Sequence, residues 1–211
     1  MIKHIVILAN SKKYSERCIA GIEIQQRKDS WFILCNSDSA PKWIRPVSGS
    51  GHGEIATSIA DQYNLLDVAE LNIVRELPQG FQSENCLIHS IKKLENTKLG
   101  IDSLQSLTNK QHSKLFNYRG NSISEDWIQN VHYSLMLIEP KDFMTFTVKQ
   151  SFGKTQARGK FSYQGNSYDL PITDVKFVVG SEKERSCFLT ISLGARYEGR
   201  HYKLIAGVIM I

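Results

Sequence analysis

Cysteine is scarce and scattered in this chain. The four cysteines are Cys18, Cys35, Cys86 and Cys187, and no two stand closer than the first pair. Such spacing excludes a zinc knuckle and gives no disulfide framework, so free thiols, mostly buried as small hydrophobes, are expected. The six histidines form no HExxH and none lies at ligand spacing to a cysteine. No metal and no cofactor is therefore expected. Long apolar runs are also missing: none approaches the roughly 18 residues of a membrane span. Ile5–Ala9 is too short for a signal peptide, and no small-residue cleavage site follows it. The chain reads as soluble and cytoplasmic, with no membrane partner.

Catalytic signatures are missing too. Ser151-Phe152-Gly153-Lys154-Thr155 resembles the end of a phosphate-binding loop, but Val148 stands where that loop needs its first glycine. Gly49-Ser50-Gly51-His52-Gly53 fails as a dinucleotide fingerprint because Glu54 holds the last place and no βαβ context surrounds it. There is no GxSxG elbow, kinase signature or paired-carboxylate pattern. A non-enzymatic role is expected, with a nuclease built from scattered carboxylates as the reading these absences do not remove.

What the chain has is a mild basic excess and many short strands. Lys and Arg number 26 against 21 Asp and Glu, giving a net charge of +5 and a pI near 9.0 over 211 residues. The excess is uneven. Residues 1–110 carry thirteen basic and twelve acidic side chains, whereas residues 111–211 carry thirteen and nine. An anionic partner is favoured for the second half.

Apolar alternation predicts strands over Lys3–Ala9, Arg17–Ile24, Trp31–Cys35, Trp43–Val47, Asp67–Val74 and Asn85–Ile91. In Asp67–Val74, the residues Ala69, Leu71 and Ile73 should point inward. Lys92–Tyr118 has leucines at irregular helical spacing and few β-branched residues, which predicts one or two short helices. Strands resume at Tyr133–Glu139, Phe143–Phe152, Ala157–Tyr163, Ser167–Ile172, Cys187–Leu193 and Tyr202–Ile211. Gly165-Asn166 marks a hairpin turn. The expected fold is mainly β: two consecutive small barrels or sandwiches, over 1–91 and 131–211, joined by a helical connector over 92–130.

Three segments carry a resemblance. They are Ile7–Lys13 continuing into Arg17–Gly21, Trp43-Ile44-Arg45-Pro46-Val47-Ser48, and Leu189–Gly194 with Tyr202–Ala206. With Gln82-x-Glu84-Asn85 and Leu170–Asp174, they resemble the bacterial family of dual OB-domain-containing proteins, from about residue 4 to the C-terminus. The resemblance implies two consecutive oligonucleotide/oligosaccharide-binding barrels. It also implies an accessory module of prokaryotic conflict or antiviral defence loci. The chain departs from the pattern in two places. Gln25–Lys42 is longer than the usual link, which would reshape a binding loop, and Ala195 stands where an acidic residue is expected.

Candidate binding residues follow from chemistry. Lys12, Lys13 and Arg17 flank the first strand turn and could clamp phosphates, or form a plain solvated turn. Trp43 and Arg45 lie two apart in a strand and so share a face. They could stack and anchor a base, or sit in the core with Arg45 paired to Glu54 or Glu84. Gln82 and Asn85 could read a base edge or cap a loop. Lys149, Lys154, Arg158 and Lys160 are interleaved with Phe146, Phe152, Phe161 and Tyr163. Those are the ingredients of a single-strand platform, or of a charged hairpin whose aromatics are core. The expected function is binding of nucleic acid, single-stranded by preference. The alternative is a sensor of a nucleotide-like ligand that regulates a larger effector protein.

Overall fold

The computed structural model describes residues 1–28, 30–108, 112–150, 153–180 and 186–211. The described chain divides into two compact units, Met1–Leu107 and Thr108–Ile211.

The first unit opens with two long antiparallel strands, β1 (Ile2–Lys13) and β2 (Glu16–Arg27). A short strand β3 (Ser30–Ile33) hangs on the end of β2. β4 (Trp43–Val47) pairs with the middle of β2. A one-turn helix α1 (Thr57–Ala60) leads to β5 (Asp67–Glu76) and β6 (Asn85–Lys98). β5 is antiparallel to both β1 and β6, and β6 runs parallel to β4. The circuit β1-β2-β4-β6-β5-β1 is closed. A five-stranded Greek-key barrel of this kind is the OB topology. Its core holds Ile5, Ile7, Ile19, Ile44, Ala69, Leu71 and Ile73, and Ile55, Ala60 and Tyr63 from the α1 region pack into it.

β2 carries a glycine where the barrel is tightest. A Cβ on Gly21 would lie 2.1 Å from the Val6 carbonyl oxygen. Only glycine allows that backbone approach. The neighbouring β1 absorbs the curvature with a register shift between Ile7 and Ala9.

The second unit traces the same circuit, but opened. It begins with a 3-10 turn at Leu115–Asn117, a short strand β7 (Ser122–Ser124) and a one-turn helix α2 (Glu125–Ile128). β8 (Leu135–Ile138) and β9 (Lys141–Lys149) are separated only by Glu139 and Pro140. β9 starts the meander β9, β10 (Thr155–Tyr163), β11 (Asn166–Pro171), all antiparallel. β12 (Cys187–Tyr197) and β13 (Arg200–Met210) form a long hairpin, with β8 on β12 and β7 on β13. Among the described residues a parallel bridge, Ile172 to Ile205, links the two sheets. β8 and β9 together do what β1 does alone: one piece pairs toward the fourth strand of the circuit, the other toward the second. Proline cannot donate to a ladder, so the strand breaks at Pro140.

The connector expectation is corrected. Lys92–Lys98 is not helical: β6 continues to Lys98 because β5 gives it a partner as far as Asp67, as in the pairs Glu70–Lys92 and Ala69–Lys93. Pairing overrides its weak strand propensity. Among the described residues of this segment, Ile101–Leu107 and Leu115–Asn117 form 3-10 turns. The two units divide in sequence between Leu107 and Thr108. β2 runs on through Gln25–Arg27, and Ser30 opens β3. β12 continues past the expected Leu193 to Tyr197, and the turn to β13 is Glu198 and Gly199 at φ 49° and 72°. Among the described residues no helix is long and apolar enough to cross a membrane.

Candidate functional site

The meander β9–β11 presents two faces, set by strand alternation. The inner face holds Phe143, Gly159, Phe161, Tyr163, Tyr168 and Leu170, all buried. Phe161 lies 5.5 Å from Tyr168 and 6.4 Å from Phe143, ring to ring. Burial pushes the Tyr163 and Tyr168 hydroxyls above the ordinary phenol range. Phe161 and Tyr163 are therefore core, and not part of a stacking platform. Phe152 lies outside the described residues.

The outer face is different. Met144 faces Lys160, Phe146 faces Arg158, and Val148 faces Gln156 across the β9–β10 ladder. Lys160 faces Asp169 on the β11 side. Met144 is 50% exposed and Val148 39%, and Phe146 is half-buried. An apolar strip thus runs beside Lys160 and Arg158. Lys149 and Lys154, both exposed, stand at the β9–β10 turn, where Gln150 N–H donates to the Lys154 carbonyl at 2.6 Å. The structure brings the four expected basic residues of this run to one hairpin. Met144 and Val148 were missed in the sequence; their alternation with Phe143 and Thr145 was visible, but not which side faced water.

Arg158 is held flat on this face. Its Nε donates to Asp169 Oδ1 at 2.7 Å, its Nη1 to Gln156 Oε1 at 2.8 Å, and its Nη2 to the Asp169 carbonyl at 2.8 Å. With three donors committed, it serves as a fixed planar surface more than a mobile phosphate clamp.

At the β1–β2 turn, Lys12 is exposed and faces Arg17 across the ladder. Arg17 reaches Asp61 at 3.3 Å, and Lys13 Nζ donates to the His52 carbonyl at 2.6 Å. Tyr14, 61% exposed at the turn, packs on the His52 ring at 4.9 Å. Glu16 accepts from both the Thr57 N–H at 2.5 Å and the Thr57 hydroxyl at 2.7 Å, capping α1 and holding its own carboxyl below the usual range. The basic turn is thus tied to the α1 loop, with Lys12 and Tyr14 its outward groups.

The Trp43–Arg45 expectation is corrected. Arg45 pairs with Glu84 at 3.0 Å with both side chains all but fully buried, 3% and 4% exposed. Arg45 Nη1 also donates to Asn85 Oδ1 at 3.5 Å, and Asn85 Nδ2 donates to Gln82 Oε1 at 3.3 Å. Gln82 closes a tight turn with Gln79 through reciprocal backbone bonds. Parallel pairing of Arg45 with Asn85 brings these residues together. Arg45 and Asn85 form a buried polar joint and Gln82 a loop cap, because a buried guanidinium requires a charge partner. Trp43 is half-buried beside Ile22.

In the second unit, β13 carries a lysine in the interior. Lys203 is fully buried. Its Nζ donates to the Tyr118 carbonyl at 2.6 Å and the Gly120 carbonyl at 2.7 Å, and sits 5.4 Å from the Tyr168 ring centre. Burial pulls it down to about 7. Asp174 accepts from Lys176 N–H and from Val208 N–H of β13, pinning the end of the meander to that strand.

One closed and one opened OB circuit define a two-barrel OB protein. The chain belongs to the dual OB-containing domain family, whose sequence profile matches residues 3–208. No curated protein matches it. Among solved structures, a murine DNA-binding protein bound with double-stranded DNA aligns over 100% of this chain and 96% of its own, at 6% identity and a TM-score of 0.37. The tetrameric p202 HIN2 aligns over 100% and 92%, at 11% identity and a TM-score of 0.33. At such scores neither superposition positions a ligand on this chain.

Proposed function

We propose that the protein is a binding module for single-stranded nucleic acid, held on the outer face of β9–β11. The observation that carries this reading is the exposed apolar strip Met144–Val148 lying beside Lys160, Arg158, Lys149 and Lys154 on one hairpin. Unstacked bases need apolar or planar surface, and their phosphates need nearby cations. A duplex hides its base faces and would leave the strip without use. β10 and β11 are also the second and third strands of the circuit, the face on which OB barrels hold oligonucleotides. Lys12 and Tyr14 make a smaller patch of the same chemistry on the first unit. A role as an accessory of prokaryotic defence rests on family resemblance alone.

The reading is tested by fluorescence anisotropy at low salt with a labelled 12-nucleotide single strand and the matching duplex. The single strand should bind more tightly. Absence of binding to either would overturn the proposal.

A further inference from the structure

Asp169 is out of place on a face built only for phosphates. It sits between Lys160, its direct neighbour on β10, and Arg158, which it holds through Oδ1. The side chain is still 43% exposed. Among the described residues, Oδ2 makes no hydrogen bond to the protein. An ionised carboxylate accepts and never donates, so this atom offers acceptor capacity to a ligand while repelling its phosphates. Beside it, the exposed Lys160 ammonium offers donors, and Met144 on the far side of Lys160 offers apolar surface for a ring. Because Arg158 is bonded to both Gln156 and Asp169, the carboxylate is held in position before a ligand arrives.

We propose that the β10–β11 face selects guanine in a single strand, with Asp169 reading the base edge. This rests on the nucleic-acid reading above and deepens it. Guanine alone among the bases places two adjacent N–H donors, N1–H and the N2 amino group, on its Watson–Crick edge, with the O6 acceptor next to them. Adjacent donors match a carboxylate, and O6 matches the neighbouring ammonium. Adenine and cytosine offer one amino donor beside a ring-nitrogen acceptor that would face the carboxylate. Thymine and uracil offer one imino donor between two carbonyls. Reading of this edge requires an unpaired base, which agrees with the preference for single strands.

The test uses the full chain and four labelled oligothymidines that differ at one central position: thymine, adenine, cytosine or guanine. A fifth carries hypoxanthine, which lacks only the N2 amino group. The guanine strand should bind about tenfold more tightly than the thymine strand, at the low end of what one bidentate base contact supplies. Hypoxanthine should lose most of that gain. Asp169→Asn keeps an oxygen for Arg158 but turns the second acceptor into a donor, so it should erase the guanine preference, bringing the guanine and thymine strands to equal affinity. Equal affinity for all five strands overturns the guanine proposal and leaves the nucleic-acid reading standing. So does a guanine preference that survives in hypoxanthine or in Asp169→Asn. Failure of every strand to bind overturns both.

Discussion

At the scale of single residues, the barrels depend on what two glycines and one ion pair permit. Gly21 and Gly159 occupy the second strand of each circuit. A Cβ at Gly21 would strike backbone, the Val6 carbonyl, whereas at Gly159 it would meet Ile205 Cδ1 at 2.6 Å and Phe143 Cε2 at 2.7 Å. Side-chain ends can shift and a strand backbone cannot. Gly159→Ala should therefore cost about 1–2 kcal/mol and Gly21→Ala about 3 kcal/mol or more, measured by urea denaturation. Arg45→Ala strands a buried Glu84 charge and should cost about 3–5 kcal/mol. It should leave oligonucleotide affinity unchanged under conditions where the variant stays folded, since the guanidinium lies inside. The pairing of Arg45 and Glu84 was one of two readings the sequence left open. Parallel pairing across 39 intervening positions decides it, and nothing local in Trp43–Val47 announces such a partner.

At the scale of elements, Lys203 fastens the segment around Tyr118–Gly120 to β13. Its folded pKa of about 7 lies far below the ordinary lysine value. Between those values the unfolded chain holds a proton that the folded chain has lost, so stability rises with pH across that window and this contribution is flat below about 7. The buried Cys187 thiol, pushed up to about 12, acts in the opposite direction once free thiols ionise. The difference between wild type and Lys203→Met isolates the lysine. Urea midpoints from pH 6 to 10 should show a rising component in the wild type that the variant lacks; identical pH profiles would contradict the buried-lysine account. Element boundaries were only partly legible. Alternation in Asp67–Val74 located Ala69, Leu71 and Ile73 in the core, and all three are buried. The β10–β11 hairpin was readable from its glycine, but one residue out: the turn is Gln164 and Gly165, both at positive φ, and Asn166, expected in the turn, opens β11 opposite Tyr163. The polar end of β6 was not, because its strand character comes from β5. Nor were the outward Met144 and Val148 distinguishable from the inward Phe161 and Tyr163, since both faces of the meander carry large apolar residues and a period of two does not say which is wet.

At the scale of the whole molecule, two units of similar size use one circuit in two states of closure. The N-terminal unit closes on itself through the β1–β5 and β4–β6 ladders. Residues 1–107 expressed alone should therefore fold and unfold cooperatively by circular dichroism; a non-cooperative melt would contradict an autonomous barrel. The basic excess of the second half, visible in composition, becomes a located cluster once β9 and β10 pair. The most direct test of the binding claim is the salt dependence of single-strand affinity for the full chain, compared with the triple variant Lys149→Ala, Lys154→Ala, Lys160→Ala. On single strands each neutralised phosphate contributes about −0.7 to the log–log slope, so the triple variant should flatten it by about 2. A slope identical in the two proteins would place the phosphates elsewhere and contradict the β9–β11 interface.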